Sequence, residues 1–167
     1  MAGTGISRTL VEDFLYREAD CLDRWALEEW LALWADTGEI SYMVAPTGEA
    51  DVAELEPSTA MFLIADDRYR LQQRVIRMGK NTFHSEYRPS RTRHMYSNVR
   101  LLGQTDDTVD VAFNSAVYRT RKEKTIVYPA LVRATLRLND GAPSLQKKRM
   151  ELDLEHLATM GALTILL

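Results

Sequence analysis

Leu10, Val11, Phe14, Leu15 and Leu22 recur at helical spacing, with Arg8, Glu12, Asp13, Arg17 and Glu18 beside them, which predicts an amphipathic helix over residues 7–21. A second helix is predicted directly after it: Leu27, Trp30, Leu31 and Trp34 follow the i, i+3, i+4, i+7 rule, Asp23 is placed to cap it and Gly38 to stop it. Trp25, Trp30 and Trp34 give this segment a heavy apolar face, read as packing. From Glu39 the period drops to two, with Ile40, Tyr42 and Val44 on one face, Ser41 and Met43 on the other, and Pro46 closing the strand. Residues 47–58 are acidic and contain Gly48 and Pro57, so they read as a surface excursion. A short strand over residues 61–64 leads to a third helix opened by Asp66 and stopped by Gly79. Its apolar stripe is Leu71, Val75, Ile76 and Met78, and Arg68, Arg70, Arg74 and Arg77 occupy a solvated face.

Beyond the third helix the pattern is that of strands. Residues 94–102 alternate Met95, Val99 and Leu101 against His94, Tyr96, Asn98 and Arg100, and Thr105-Asp106-Asp107 is turn chemistry. Val109, Val111, Phe113 and Val117 share one side of the next strand, over residues 109–119. A long strand over residues 126–138 is followed by Asn139-Asp140-Gly141, the strongest hairpin signal in the chain, and residues 145–154 return antiparallel. Residues 158–167 are apolar and are expected to pack down, as a last strand or against a neighbouring chain. Three helices followed by an antiparallel meander predict an α+β domain, with the helices laid over one face of a strongly curved sheet.

Composition narrows the class. A chain of 167 residues is one ordinary domain, large enough to bury roughly 70% of its unfolded surface, so residues 1–167 are read as a single unit. An apolar fraction of 46% and a charged fraction of 27% fit a soluble globular protein with no membrane span, and without a secretory pattern the cytoplasm is the expected location. Net charge −3 and a pI near 5.7 argue against nucleic acid as a partner. The lone Cys21 excludes an internal disulfide, and also a Cys-ligated zinc or iron–sulfur centre held by this chain alone.

Candidate chemistry concentrates in residues 88–100, where Arg88, Arg91, Arg93 and Arg100 with His94 fall within thirteen residues that contain no acid. Guanidinium groups on a strand suit ion-paired contact with a partner; the alternative is a solvated loop. The three histidines are His84, His94 and His156. His84, Glu86 and His94 together offer the two nitrogens and one carboxylate of a non-haem ferrous site, although their spacing follows no known metal pattern. A curved sheet under helices can also enclose a pocket, within reach of Tyr16, Asp20, Tyr42, His94 and Tyr96, where a histidine and an acid could move protons. No Ser/His/Asp signature, glycine-rich phosphate loop or zinc-type spacing is present.

Several stretches resemble a known family. Phe14-Leu15-Tyr16-Arg17-Glu18-Ala19, Leu22-Asp23 and Glu29-Trp30-Leu31-Ala32-Leu33-Trp34 are similar to the opening of the small (beta) subunits of Rieske-type aromatic-ring-hydroxylating dioxygenases. Arg74-Val75-Ile76-Arg77, Pro89-Ser90-Arg91-Thr92-Arg93-His94 and Ser97-Asn98-Val99 resemble the family's most recognisable stretch, and Lys147-Lys148-Arg149 its final part. Residues 78–88 match only loosely, and the acidic loop has no motif that aligns. The resemblance implies a cone-shaped, mostly antiparallel curved sheet with N-terminal helices over one face, the cystatin-like class shared with ketosteroid isomerase, scytalone dehydratase and nuclear transport factor two. It implies a structural, non-catalytic small subunit in a hetero-hexamer of three large and three small subunits that hydroxylates an aromatic ring in aromatic-compound catabolism. This chain would carry no cofactor, while the large (alpha) subunit would carry a Rieske 2Fe-2S cluster and a mononuclear Fe(II). A reductase, sometimes with a ferredoxin, would supply electrons. In that setting Arg91, Arg93, His94, Tyr96 and Arg100 are candidate interface residues, toward the large subunit or toward other copies of the chain in a trimer. The competing reading is a stand-alone dehydratase or isomerase of the same fold.

Overall fold

The computed structural model describes residues 6–48, 54, 56–58, 60–80, 89–154 and 163–167. Helix α1 spans Arg8–Asp23, and the Ser7 hydroxyl caps it by accepting the Leu10 N–H at 3.2 Å. Val11, Phe14, Leu15, Glu18 and Leu22 form its buried face. The second helix is shorter than its periodicity suggests: α2 covers only Leu27–Leu31, and its N-cap is Ala26. Trp25 breaks the path at φ 56°, with its indole N–H donating to the Ser90 carbonyl at 3.0 Å. Asp23 stays on α1 as its last residue, because its carboxylate is taken by His94, a charge-assisted use that outweighs a neutral cap.

Six strands form one sheet in the order β2-β1-β6-β5-β4-β3. β1 (Ser41–Ala45) pairs antiparallel with β2 (Ile64–Asp66) and parallel with β6 (Ala142–Leu152). β3 (Arg91–Gln104), β4 (Thr108–Arg121) and β5 (Lys124–Asn139) run antiparallel with β6 as a meander. All five residues of β1 are buried. Described members of the acidic loop reach the neighbouring β6: Gly48 N–H donates to Glu151, and Glu56 pairs with Arg149 at 3.5 Å. Asp140 and Gly141, at φ 49° and 81°, make the two-residue turn that joins β5 to β6.

Between β2 and β3, helix α3 spans Arg68–Met78, with Asp67 as N-cap and Gly79 as C-cap. The cap falls one residue later than Asp66, whose carboxylate is held by both Nε and NH2 of Arg74. The arginine face is therefore partly internal, since Arg68 also donates to the Ala35 carbonyl. Ile76 lies outside the buried stripe, which reduces to Leu71 and Val75 with Met78 beside them.

β3 departs most from its hydropathy pattern. Thr92, His94 and Tyr96 point inward and Met95 is exposed, the reverse of the alternation read from the sequence. The polar side chains can face inward because α1, packed across β3, presents Asp23 and Glu18 to them. A bulge between Ser97 and Arg100, with Asn98 at φ 55°, then resets the alternation so that Val99 is buried and Leu101 is not.

The core fills the concave side of the sheet. Trp30, Trp34 and Tyr42 pack edge to face with centroids 5.6, 5.9 and 6.0 Å apart. Ile165, Leu166 and Leu167 are buried among them, so the described end of the apolar tail, residues 163–167, packs into its own protomer. Among the described residues no helix is long and apolar enough to cross a membrane.

Candidate functional site

Glu18 and Lys148 meet at the centre of the fold. Glu18 occupies the core stripe of α1, three residues after Leu15 and four before Leu22, and Lys148 lies on the inward face of β6 with Met150 and Leu152. Their side chains are fully buried and pair at 2.6 Å. The second lone-pair demands are met as well. Trp30 Nε1–H donates to Glu18 Oε1 at 3.0 Å, and the Tyr96 hydroxyl donates to Glu18 Oε2 at 2.8 Å. Lys148 Nζ also donates to the Tyr96 oxygen at 3.2 Å and to the Leu167 carbonyl at 3.0 Å. A buried pair is tolerable only with this degree of satisfaction, because desolvation otherwise exceeds the attraction.

The phenols are held in their neutral form. Burial pushes Tyr96 well above the usual phenol range, and the charge and hydrogen bond of Glu18 push it further. Burial likewise raises Tyr42, against a smaller opposing effect of its hydrogen bond to Leu167. Both phenols act as hydrogen-bonding struts.

A second cluster joins the end of α1 to β3 and the tail. Asp23 Oδ1 lies 2.6 Å from His94 Nδ1, and the same carboxylate accepts the His94 main-chain N–H at 3.1 and 3.2 Å. His94 Nε2 lies 3.2 Å from the Leu166 carbonyl oxygen. The imidazole therefore has an acceptor at each nitrogen.

The structure separates the residues expected to share a catalytic pocket. Tyr42, His94 and Tyr96 converge inside, whereas Tyr16 is half exposed and Asp20 pairs on the surface with Arg24 at 2.8 Å. The acid beside His94 is Asp23. For the ferrous triad, His84 and Glu86 lie outside the described residues, as does His156, and His94 has both nitrogens engaged. Among the described residues no three His, Cys, Asp or Glu side chains gather to hold a metal. Glu18, Asp23 and Lys148 were not anticipated in these roles; a carboxylate within the apolar stripe of α1 was the available signal for Glu18.

The five candidate interface residues divide by face. Arg91, Arg93 and Arg100 point outward along β3, the last strand of the sheet, whereas His94 and Tyr96 are buried and bonded within the protomer. Strand alternation separates them, so one motif is divided between the core and the surface. Ser90 accepts from Trp25 and Arg119, Thr92 and His94 face the core, and Arg91 and Arg93 face out. Met95 and Tyr118 are exposed beside those arginines, with Tyr118 directly opposite Arg93 in the register. Arg88 lies outside the described residues.

At the centre of this curved α+β fold, Glu18, Lys148, Trp30 and Tyr96 are bonded to one another. The chain belongs to the family of ring hydroxylating beta subunits, which it matches over residues 17–159. It is 41% identical over 162 residues to the small oxygenase component of the p-cumate 2,3-dioxygenase system of Pseudomonas putida, covering 97% of this chain and 88% of that one. The fold is that of a chain in naphthalene 1,2-dioxygenase, with a TM-score of 0.79 at 18% identity, covering 98% of this chain and 89% of that chain. An NTF2-like protein with a cystatin-like fold from Novosphingobium aromaticivorans aligns at a TM-score of 0.60 and 16% identity, over 93% of this chain and 88% of the other. The protein is thus the small subunit of an aromatic-ring-hydroxylating dioxygenase, an oxidoreductase assembled with a large subunit. The dehydratase or isomerase alternative is not supported.

Proposed function

We propose that the chain is the non-catalytic scaffold of its oxygenase. In this reading it forms a trimer of small subunits bound to three large subunits, and each large subunit carries the Rieske cluster and the mononuclear iron at which an aromatic ring is hydroxylated. A reductase, with or without a ferredoxin, feeds electrons to that partner, and the complex serves aromatic-compound catabolism in the cytoplasm. The observation that carries the reading is the interior: Glu18, Trp30, Tyr96 and Lys148 use one another's polar atoms, so the groups suited to acid–base work are committed to holding helix to sheet. The similarity to the p-cumate component supports an aromatic carboxylate as the substrate class of the complex.

The outward residues of β3 supply the contact. Arg91, Arg93 and Arg100 with Met95 and Tyr118 combine cationic and apolar side chains in the mixture that protein interfaces favour. Co-expression with the large subunit, followed by light scattering, tests this. A hetero-hexamer is expected, and it should fall apart when Arg91 and Arg93 are both replaced by Ala. An unchanged mass for that variant would refute the contact.

A further inference from the structure

Residues 163–167 do more than fill space. Leu167 is held through its main-chain atoms: the Tyr42 hydroxyl accepts its N–H at 3.1 Å and donates to its main-chain oxygen at 3.3 Å, while Lys148 Nζ donates to the same oxygen at 3.0 Å. His94 Nε2 meets the preceding carbonyl, that of Leu166, at 3.2 Å. These contacts recognise main chain, and they come from three strands: β1, β3 and β6.

Two of the three readers have anchors of their own behind them. Lys148 is held by Glu18 at 2.6 Å and by Tyr96, and His94 by Asp23 at 2.6 Å. None of these anchoring contacts involves the segment. The cradle is therefore positioned by α1 and the sheet, and this kind of preorganisation lowers the ordering cost of binding. Apolar packing alone would not require a lysine and a histidine aimed at backbone oxygens inside a core.

We infer that the interior of the cone is a peptide-binding site that recognises the main chain of a short apolar segment. Residues 163–167 are its resident occupant, and the same segment supplied by another molecule binds in its place. The site is independent of whether the surface of β3 contacts a large subunit.

The probe is the neutral peptide acetyl-Leu-Thr-Ile-Leu-Leu-amide, titrated calorimetrically into the full chain carrying Leu166→Ser and Leu167→Ser, which weaken the resident segment. One-to-one binding is expected, with a rise in Tm of roughly 5 °C or more at saturation, and at least about tenfold weaker binding to the unaltered chain, whose own segment competes. N-methylation of the final leucine removes the N–H that Tyr42 accepts and should weaken binding about tenfold. Absence of saturable binding, indifference to N-methylation, or a variant that stays unfolded with peptide present would each overturn the proposal. Amide exchange on the unaltered chain provides a second test. The Leu167 amide should be protected, and Tyr42→Phe should remove that protection while the β4–β5 amides keep theirs. A freely exchanging Leu167 in the unaltered chain would contradict the assignment.

Discussion

Lys148 of β6 and Glu18 of α1 pair at 2.6 Å with neither side chain exposed, so helix and sheet are joined by opposite charges at the middle of the core. Removing one partner strands the other in a low-dielectric interior. Lys148→Met and Glu18→Gln should each lower unfolding free energy by about 3–5 kcal/mol, and the double substitution should cost less than the sum. Urea unfolding followed by far-UV circular dichroism checks this. Single losses under about 1 kcal/mol would show that the pair is not buried as described.

Alkaline pH should destabilise the protein in a defined window. Burial raises both Tyr42 and Tyr96 above the ordinary phenol value of 10.0, and Glu18 adds to the shift at Tyr96. The native state then keeps protons that the unfolded chain has released. Stability from these groups is complete below pH 10 and declines as pH rises beyond it, by up to about 1.4 kcal/mol per pH unit for each tyrosine. Urea midpoints measured from pH 8 to 11 should fall in the upper part of that range, and Tyr96→Phe should flatten the fall.

Asp23 and Asp20 lie three residues apart on α1 and should respond differently to replacement. Asp23 accepts from both the ring and the main chain of His94, and its side chain is nearly buried. Asp23→Ala should cost about 2–3 kcal/mol. Asp20 meets Arg24 in solvent, and Asp20→Ala should change stability by no more than about 0.5 kcal/mol. Thermal melts of the two variants separate these outcomes.

The outward arginines should leave the protomer intact. Arg91→Ala with Arg93→Ala removes exposed charge, and the only described partner affected is Asp23, 3.6 Å from Arg93. Tm should move by no more than about 2 °C, while affinity for the large subunit falls at least about tenfold. A large drop in Tm with unchanged affinity would assign these residues to the fold instead.

The meander was legible because its turns carry their own chemistry: Asn139-Asp140-Gly141 places the β5–β6 hairpin where it is found. The stop at Gly79 was legible for the same local reason. β3 was not, because alternation assigns faces by hydropathy, and here a histidine and a tyrosine are drawn inward by carboxylates on α1, a contact 71 to 78 residues away in sequence. Asp23 looked like a helix cap for want of that long-range partner. Glu18 was placed with the polar positions of α1, although it shares the buried stripe with Leu15 and Leu22. The family was readable from the Ser90-Arg91-Thr92-Arg93-His94 block, but the division of that block between core and surface needed the strand's orientation.

Iron content and turnover of the purified chain, measured with and without its large subunit, bear most directly on the scaffold role. The chain alone should bind no stoichiometric iron and oxidise no aromatic substrate, and activity should appear only when the large subunit and an electron donor are added. Stoichiometric iron, or turnover by the isolated chain, would contradict the account.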